Sequence, residues 1–386
     1  MPPFLPFYIP KHKTLKVAIV GGGYAGIAAL VTLLRHMPGA QVTVIDPGLH
    51  HLKITHLHET FRYPLEDFLI PFHILETRFN CRHVRARVSI DEHTLLKWQN
   101  DRFFAAGDET ISFDYLLIAS GTPIAQTAKQ ENTFDLQDFA TCPGSSLLAE
   151  AFPDSDSKER YISVIGGGAT GIQFLFEIAY FLRRRKIDCG LRLIHSQDRV
   201  LQQFPEGFST YTKSRMAALN IDFYPGTRYG DQEGGNVVLE KTRTGQKFTL
   251  PSSMSFLFLG KKVEVLLSAN PFGQVMLGRR SLANIFTAGD CSAYSSSGSN
   301  TMTAQSAVRK GMLAARNIIR HSGALPLLEP YLHRDLGYVV SLGPTDAVGW
   351  LALEGNVVGG MPAMLIKEVV EAQYDLLLAG TDTYVF

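Results

Sequence analysis

A glycine-rich stretch near the start of the chain has the spacing of a turn that binds a pyrophosphate. It reads VGGGYAG, with Gly21, Gly23 and Gly26 at the required intervals. The first glycine permits a tight bend, the second lets backbone N–H groups approach the phosphates, and the third lets helix and strand pack closely. Asp46 ends the next apolar run, where a carboxylate accepts hydrogen bonds from a ribose and repels a phosphate. The pattern predicts a dinucleotide site.

The same spacing recurs far along the chain, at Gly166, Gly168 and Gly171. Here the following apolar run ends in His195, not in an acid. This turn can hold a pyrophosphate but lacks the usual ribose acceptor. Three alternatives stay open: NADPH with His195 or Arg199 near its 2′-phosphate, NADH held by a weaker contact, or a nucleotide domain kept as scaffold.

Two dinucleotide sites in one chain indicate one tightly held cofactor and one that exchanges. The pairing that redox chemistry favours is FAD in the first site and NADH or NADPH, as co-substrate, in the second. The protein would then hold the two reacting rings about 3–3.5 Å apart.

Composition excludes several other classes of function. The 386 residues exceed the usual size of one core, so two or more domains are expected. Lys plus Arg (37) balances Asp plus Glu (36), which gives no electrostatic case for nucleic acid. Four scattered cysteines without a C-x-x-C pair predict neither a metal site nor a local redox disulfide, and they favour the cytoplasm. They are Cys81, Cys142, Cys189 and Cys291.

Each glycine turn stands between an apolar run and a helical pattern, as in a β-turn-α-β unit. The fold class is therefore α/β, with two Rossmann-like domains and a C-terminal β-ribbon plus helix. The predicted strands and helices of the two units are 15–20, 26–37 and 41–46, then 161–165, 171–186 and 191–195. Further expected elements are a β-ribbon over 81–91, strands over 111–123 and 281–294, a counterpart of 111–123 over 253–263, a helix over 303–319, a ribbon over 337–358 and a helix from Pro362 to Leu378.

The domain organisation follows from these elements. The predicted divisions are an N-terminal arm (1–14) that packs on the body or a partner, a first FAD-binding part (15–123), an irregular crossover (124–158), an NAD(P)-binding domain (159–255), a second FAD-binding part (256–325) and a C-terminal region at the quinone side or an interface (326–386).

Three further motifs give the chain a family resemblance. FDYLLIASG (113–121), NIFTAGD (284–290) and TAQSAVRKG (303–311) accompany the two glycine turns. Together they resemble the two-dinucleotide-binding-domain flavoproteins, in particular the type II NADH:quinone oxidoreductases and the related sulfide:quinone oxidoreductases. The resemblance implies that Asp290 binds the ribityl and pyrophosphate region of FAD, and that Ala304 and Gln305 lie beside the flavin ring and the quinone site.

The resemblance also implies a wider set of cofactor-binding residues. A loop with four histidines (50–58) is expected to lie over the flavin rather than to bind a metal, and Lys53 could reach the FAD phosphates. The expected set is Gly21, Gly22, Gly23, Tyr24, Ala25, Gly26, Asp46, Lys53, Val88, Ala119, Ser120, Gly121, Asp290, Ala304 and Gln305 for FAD, and Gly166, Gly168, Ala169, Thr170, Gly171, His195 and Gly260 for the nicotinamide dinucleotide.

One departure from the family bears on the electron acceptor. The family commonly has Glu where this chain has Gln173, and an amide cannot titrate. Glu177, one turn further on, could replace the carboxylate if it faces the ring. Gln305, Gln173 and Glu177 are the candidate catalytic residues. Quinone is the favoured acceptor; sulfide with Cys142 or Cys291, another soluble acceptor, and an NAD(P)H-sensing flavoprotein remain alternatives.

The last predicted helix is amphipathic. Leu365, Val369, Ala372 and Leu376 form its apolar face, and Lys367, Glu368, Glu371 and Asp375 its polar face. Because a helix that lies on a membrane usually has a basic polar face, packing on the body or in a homodimer is favoured over peripheral membrane contact.

Overall fold

A computed structural model describes residues 14–122, 130–151, 160–260 and 266–384. The predicted N-terminal arm therefore lies outside the described residues, except for its last position. The helices are α1 (Tyr24–His36), α2 (Phe72–Phe79), α3 (Glu92–Asp101), α4 (Leu136–Phe139), α5 (Gly144–Ala151), α6 (Ala169–Arg185), α7 (Glu206–Ala218), α8 (Ala304–Ser322) and α9 (Met361–Leu378), with 3-10 helices at Ile54–Phe61 and Leu65–Phe68.

The strands form two large sheets and several small ones. In chain order they are β1 (Lys16–Val20), β2 (Gln41–Ile45), β3 (His50–Leu52), β4 (Leu69–Pro71), β5 (Arg82–Val84), β6 (Phe103–Ala106), β7 (Glu109–Ser112), β8 (Tyr115–Ile118), β9 (Thr133–Asp135), β10 (Tyr161–Ile165), β11 (Gly190–Ile194), β12 (Asp222–Tyr224), β13 (Thr227–Glu233), β14 (Asn236–Lys241), β15 (Lys247–Pro251), β16 (Met254–Leu257), β17 (Leu267–Ala269), β18 (Gln274–Leu277), β19 (Arg280–Thr287), β20 (Ser292–Tyr294), β21 (Gly337–Ser341), β22 (Ala347–Leu351) and β23 (Val357–Gly359).

The first large sheet has the order β20-β17-β18-β19-β8-β1-β2-β5. Within this sheet β1 lies parallel to β2 on one side and to β8 on the other. Such a strand marks the point where a doubly wound sheet changes direction, and ligands bind at the carboxyl ends of the strands there. The helices α1 and α8 pack on one face over a buried apolar core, and α3 contributes Leu95 and Trp98 to the core of the other face.

The second large sheet repeats this arrangement with the order β12-β11-β10-β16-β9. Here β10 lies parallel to β11 and to β16, just as β1 lies between β2 and β8. The predicted α/β class with two Rossmann-like units is confirmed. The sheet takes strands from outside the predicted segment 159–255, because β9 precedes it and β16 extends past it.

Three predicted elements differ from the structure. The expected ribbon over 81–91 is wrong: β5 is a short strand parallel to β2, and the local ribbon is formed by β6 and β7. The stretch 124–158 is not uniformly irregular, because its described part forms β9, α4 and α5. The ribbon over 337–358 is an antiparallel sheet of three strands, β21 to β23.

The last helix turns other residues inward than those predicted. Leu365 and Val369 are exposed by 60% and 64%, whereas Lys367 is buried. Ala372 and Leu376 are exposed as well. The inward face instead carries Tyr374 and Leu377, which pack against the core of the first sheet.

Candidate dinucleotide and redox site

The first glycine turn separates glycines that the fold requires from one that faces open space. Gly21 has a φ of +109°, and a Cβ there would lie 2.2 Å from the Ala119 carbonyl oxygen. A Cβ on Gly26 would lie 1.9 Å from the Gly21 carbonyl oxygen. Around Gly23, in contrast, no described heavy atom would come within 4 Å of an added Cβ. The turn therefore leaves an open cradle at the start of α1, where an anion is favoured.

Asp46 closes this turn through the backbone. Its Oδ2 accepts a hydrogen bond from Gly22 N–H at 2.7 Å, and its Oδ1 accepts one from Gly48 N–H at 2.7 Å. Because Asp46 directly follows β2, which is in register with β1, its carboxylate is held beside the cradle. Tyr24 and Ala25 are the first two residues of α1.

A buried histidine joins the same turn to the last helix. The His51 ring donates from Nδ1 to the Gly22 carbonyl at 2.9 Å, so its Nε2 accepts from the Tyr374 hydroxyl at 2.8 Å. Burial lowers the pKa of His51 to about 4, which keeps the ring neutral. The family resemblance led us to expect the 50–58 loop near the cofactor, but the sequence did not identify His51 and Tyr374 as supports of the turn.

The second glycine turn has the same geometry. Gly166 has a φ of +114°, and its added Cβ would lie 2.2 Å from the Phe258 carbonyl oxygen. A Cβ on Gly171 would lie 1.9 Å from the Gly166 carbonyl oxygen, whereas one on Gly168 would meet no described heavy atom within 4 Å. The next two residues, Ala169 and Thr170, begin α6.

The bend that follows β8 in the first module corresponds to the bend that follows β16 in the second. Ala119, Ser120 and Gly121 follow β8, and Gly121 has a φ of +68°. Residues 258–260 follow β16 in the same way, and Gly260 has a φ of +93°. Each module thus pairs a glycine turn with a second bend that a side chain would strain.

The turn that carries Asp290 lies between the starts of two helices. A Cβ on Gly289 would lie 3.0 Å from Ala25 Cβ and 3.9 Å from Ala307 Cβ. Nearby, α8 begins at Ala304 after Thr303, whose hydroxyl accepts the Ser306 N–H at 3.1 Å. Ala304 and Gln305 are half-buried at this end of α8. The structure therefore brings together motifs that are almost three hundred residues apart.

Two of the residues expected to bind FAD, Lys53 and Val88, make contacts within the protein. The Lys53 ammonium is paired with the Asp375 carboxylate of α9. Val88 is half-buried and packs against the core on the α3 side of the first sheet. Sequence reasoning missed Lys310, which is buried near Asp290 and donates to the Ser292 carbonyl at 2.9 Å. Burial lowers the pKa of Lys310 to about 8.

Gln173 and Glu177 join α6 to the first 3-10 helix. Gln173 donates to Ser341 Oγ at 3.1 Å, and that hydroxyl hydrogen-bonds His58 Nε2 at 3.0 Å. Glu177 is fully buried and accepts from Arg62 at 2.9 Å. Burial raises the pKa of Glu177 to about 7, although Arg62 opposes the shift.

A family model for pyridine nucleotide-disulphide oxidoreductases matches residues 15–311. The chain belongs to this family.

Individual relatives of this oxidoreductase are similar over nearly their full lengths. The type II NADH:quinone oxidoreductase of Staphylococcus aureus (strain NCTC 8325 / PS 47) is 25% identical over 403 residues, covering 95% of this chain and 96% of the relative. That of Staphylococcus epidermidis is 26% identical over 404 residues, with the same coverage.

Solved structures share the fold of this oxidoreductase. NDH2 from Plasmodium falciparum in complex with NADH has a TM-score of 0.78 at 15% identity, over 93% of this chain and 94% of that one. The sulfide:quinone oxidoreductase of Aquifex aeolicus has a TM-score of 0.76 at 18% identity, over 95% and 92%.

A buried ion cluster connects the 3-10 helix to α9 in this oxidoreductase. Lys367 Nζ lies 2.9 Å from Glu59 Oε1 and 2.7 Å from Glu371 Oε1. His56 lies 3.6 Å from Glu59 and 3.9 Å from Glu371. These two carboxylates and His56 are close enough to hold a metal ion. The Lys367 ammonium already occupies the position between the carboxylates and offsets their charge.

The two cysteines considered for sulfide chemistry have packing environments. Cys291 is buried, and its Sγ lies 3.4 Å from the Ala288 carbonyl. Cys142 is half-buried against the core that surrounds α6. Neither environment favours the sulfide alternative over the quinone one.

Proposed function

We propose that this oxidoreductase binds FAD in its first module and NADH or NADPH in its second, and passes electrons to a quinone. The observation that carries the proposal is the pair of matching open cradles, at Gly23 and at Gly168. Both lie at the start of a helix and beside a residue that accepts the turn's backbone N–H, Asp46 in one and His195 in the other. The names and coverage of the S. aureus and S. epidermidis relatives support the quinone acceptor.

The residues around the first cradle fit the proposed FAD site. Open space beside Gly23 allows the pyrophosphate to approach, and the Asp46 carboxylate can accept from a ribose while it holds the turn. In this proposal Asp290 contacts the ribityl and pyrophosphate region, and α8 directs Ala304 and Gln305 at the ring. When bound, FAD would supply the two-electron carrier between nicotinamide and quinone.

The protons that quinone reduction consumes need titratable groups, and Gln173 cannot supply one. We assign the supply of these protons to Glu177 and, through Arg62, to the buried ion cluster around Glu59. Glu177 lies one turn along the same helix, and Arg62 lies 3.9 Å from Glu59 in the ion cluster. This places titratable groups between the helix of the second cradle and α9.

The sequence favoured packing of the apolar face of α9 on the body or in a homodimer, but in the structure Leu365 and Val369 are exposed. This exposed face supports contact with the membrane surface that contains the quinone, with a second copy of the chain as the alternative. Within the described residues no helix is long and apolar enough to cross a bilayer. Replacing Leu365 and Val369 together by serine should lower binding to phospholipid vesicles by about tenfold, because two exposed apolar side chains are lost. Vesicle flotation measures this. The control is Leu96→Ser, which alters an exposed apolar residue on α3. Unchanged flotation with a loss of dimer in sedimentation would favour the second copy.

An anaerobic titration tests the proposed function directly. The purified protein should show the visible absorption of bound flavin, and NADH or NADPH should bleach it because the second cradle delivers the nicotinamide to the ring. Reoxidation by a soluble quinone should restore the band. A bound flavin that neither nucleotide bleaches would contradict the assignment of the second module.

A further inference from the structure

Asp46 in the first module and His195 in the second occupy equivalent positions, directly after the second strand, but they differ in charge. Asp46 follows Ile45, which is in register with Val20, and His195 follows Ile194, which is in register with Ile165. Asp46 accepts a hydrogen bond from Gly22 N–H, and His195 Nδ1 accepts one from Gly167 N–H at 3.1 Å. His195 is therefore the structural counterpart of the ribose-binding acid.

The hydrogen bond from Gly167 fixes the protonation of His195. An Nδ1 that accepts cannot carry a proton, so the neutral ring has its proton on Nε2. Burial also lowers the pKa of His195, against an opposing hydrogen bond to the backbone of Arg199. The position that is a carboxylate in the first module is thus an uncharged imidazole ring in the second.

The loop after His195 is not acidic overall. Ser196 and Gln197 are exposed and neutral, and the one acid that follows, Asp198, is paired with Arg243 at 2.6 Å. The Arg243 turn is held against this loop by the backbone, because Gly226 N–H donates to the Gln197 carbonyl and Thr242 N–H donates to Gly226. A groove between them has Lys241 and Arg243 against the single carboxylate of Asp198.

We infer that the second module is built for a 2′-phosphorylated dinucleotide, NADPH, because position 195 carries no negative charge where the first module has the Asp46 carboxylate. A carboxylate at this position would repel the 2′-phosphate. The Ser196 and Gln197 side chains instead offer hydrogen-bond donors, and the neighbouring Lys241 adds positive charge, while Arg243 offsets the Asp198 carboxylate. The inference rests on the proposed function, because it concerns the co-substrate of that site.

The test compares the second-order rate constants of anaerobic flavin reduction by NADPH and by NADH in stopped flow. In the wild-type protein NADPH should react at least as fast as NADH. In His195→Asp the ratio should shift toward NADH by about tenfold or more, because one charged residue is set against the phosphate. His195→Asn is the matched control: it retains a side-chain acceptor for Gly167 N–H without the charge, so its ratio should stay within about threefold of the wild type.

The possible results distinguish a failure of the NADPH inference from a failure of the proposed function. A wild-type protein that reacts faster with NADH than with NADPH overturns the inference and leaves the proposed function intact. Equal shifts in His195→Asp and His195→Asn would also overturn it, because the imidazole ring and not the charge would then set the ratio. A bound flavin that neither nucleotide reduces would overturn the proposed function itself.

Discussion

Replacing Gly168 by valine should abolish reduction of the flavin by nicotinamide while FAD stays bound. Gly168 precedes α6 with a φ of −79° and a ψ of 179°, an extended conformation that valine adopts without strain. A side chain there meets no described heavy atom within 4 Å, so it would occupy the space that the proposal gives to the pyrophosphate. We expect the rate of anaerobic flavin reduction to fall by about 100-fold or more, since the phosphate contacts are lost.

The variant that corresponds to Gly168→Val in the first module is Gly23→Val. Gly23 has a φ of −76° and the same open surroundings, so Gly23→Val should fold but purify without flavin. Gly39→Val, also in open space but outside both turns, should retain flavin and full reduction. If Gly168→Val is reduced at the wild-type rate, the second cradle does not bind the nicotinamide dinucleotide.

Replacing Lys367 by methionine should lower the free energy of unfolding by about 3–5 kcal/mol, the cost of leaving buried charges uncompensated. Lys367 is 6% exposed and hydrogen-bonds both Glu59 and Glu371. Methionine has a similar length but cannot offset their charges. Urea unfolding of the variant, compared with the wild type at neutral pH, measures the difference.

Acid should reduce the difference in the free energy of unfolding between the wild type and Lys367→Met. Burial tends to raise the pKa of Glu59, but a hydrogen bond from His56 and the charges of His58 and Lys367 outweigh it and hold the pKa well below its usual range. A carboxylate with a depressed pKa contributes stability above its unfolded pKa and loses it as the pH falls. The gap between wild type and Lys367→Met should therefore narrow below about pH 4.

The control for this experiment is a neighbour on the same helix. Glu368 is exposed, so Glu368→Ala should change stability by less than about 0.5 kcal/mol. Equal stabilities for Lys367→Met and the wild type would contradict a compensating role for the ammonium.

Sequence patterns predicted the two modules well because their signals are local. A glycine turn, the apolar strand before it and the helix after it lie within about thirty residues, and steric limits at Gly21 and Gly166 make the glycines necessary. The same locality made the 111–123 and 253–263 segments recognisable as counterparts.

Contacts between distant segments were beyond this reasoning. Periodicity along α9 assigned Lys367 to the solvent, but its partner Glu59 lies more than three hundred residues earlier, in a 3-10 helix. The alternating pattern of 81–91 suggested a ribbon, whereas β5 joins the edge of the first sheet through β2. His51 likewise gained its role only when Tyr374 was brought to it by the fold.

The placement of α8 against α1 has a consequence for synthesis on the ribosome. A Cβ on Gly311 would lie 2.1 Å from the Ala25 carbonyl oxygen, so the two helices touch along their backbones. The second sheet needs only residues 133–257, but the first sheet also needs strands from 267–294. The sheet that begins later along the chain thus has all of its strands first. The N-terminal strands of a nascent chain must wait, with apolar faces uncovered, until nearly all of the protein has been made.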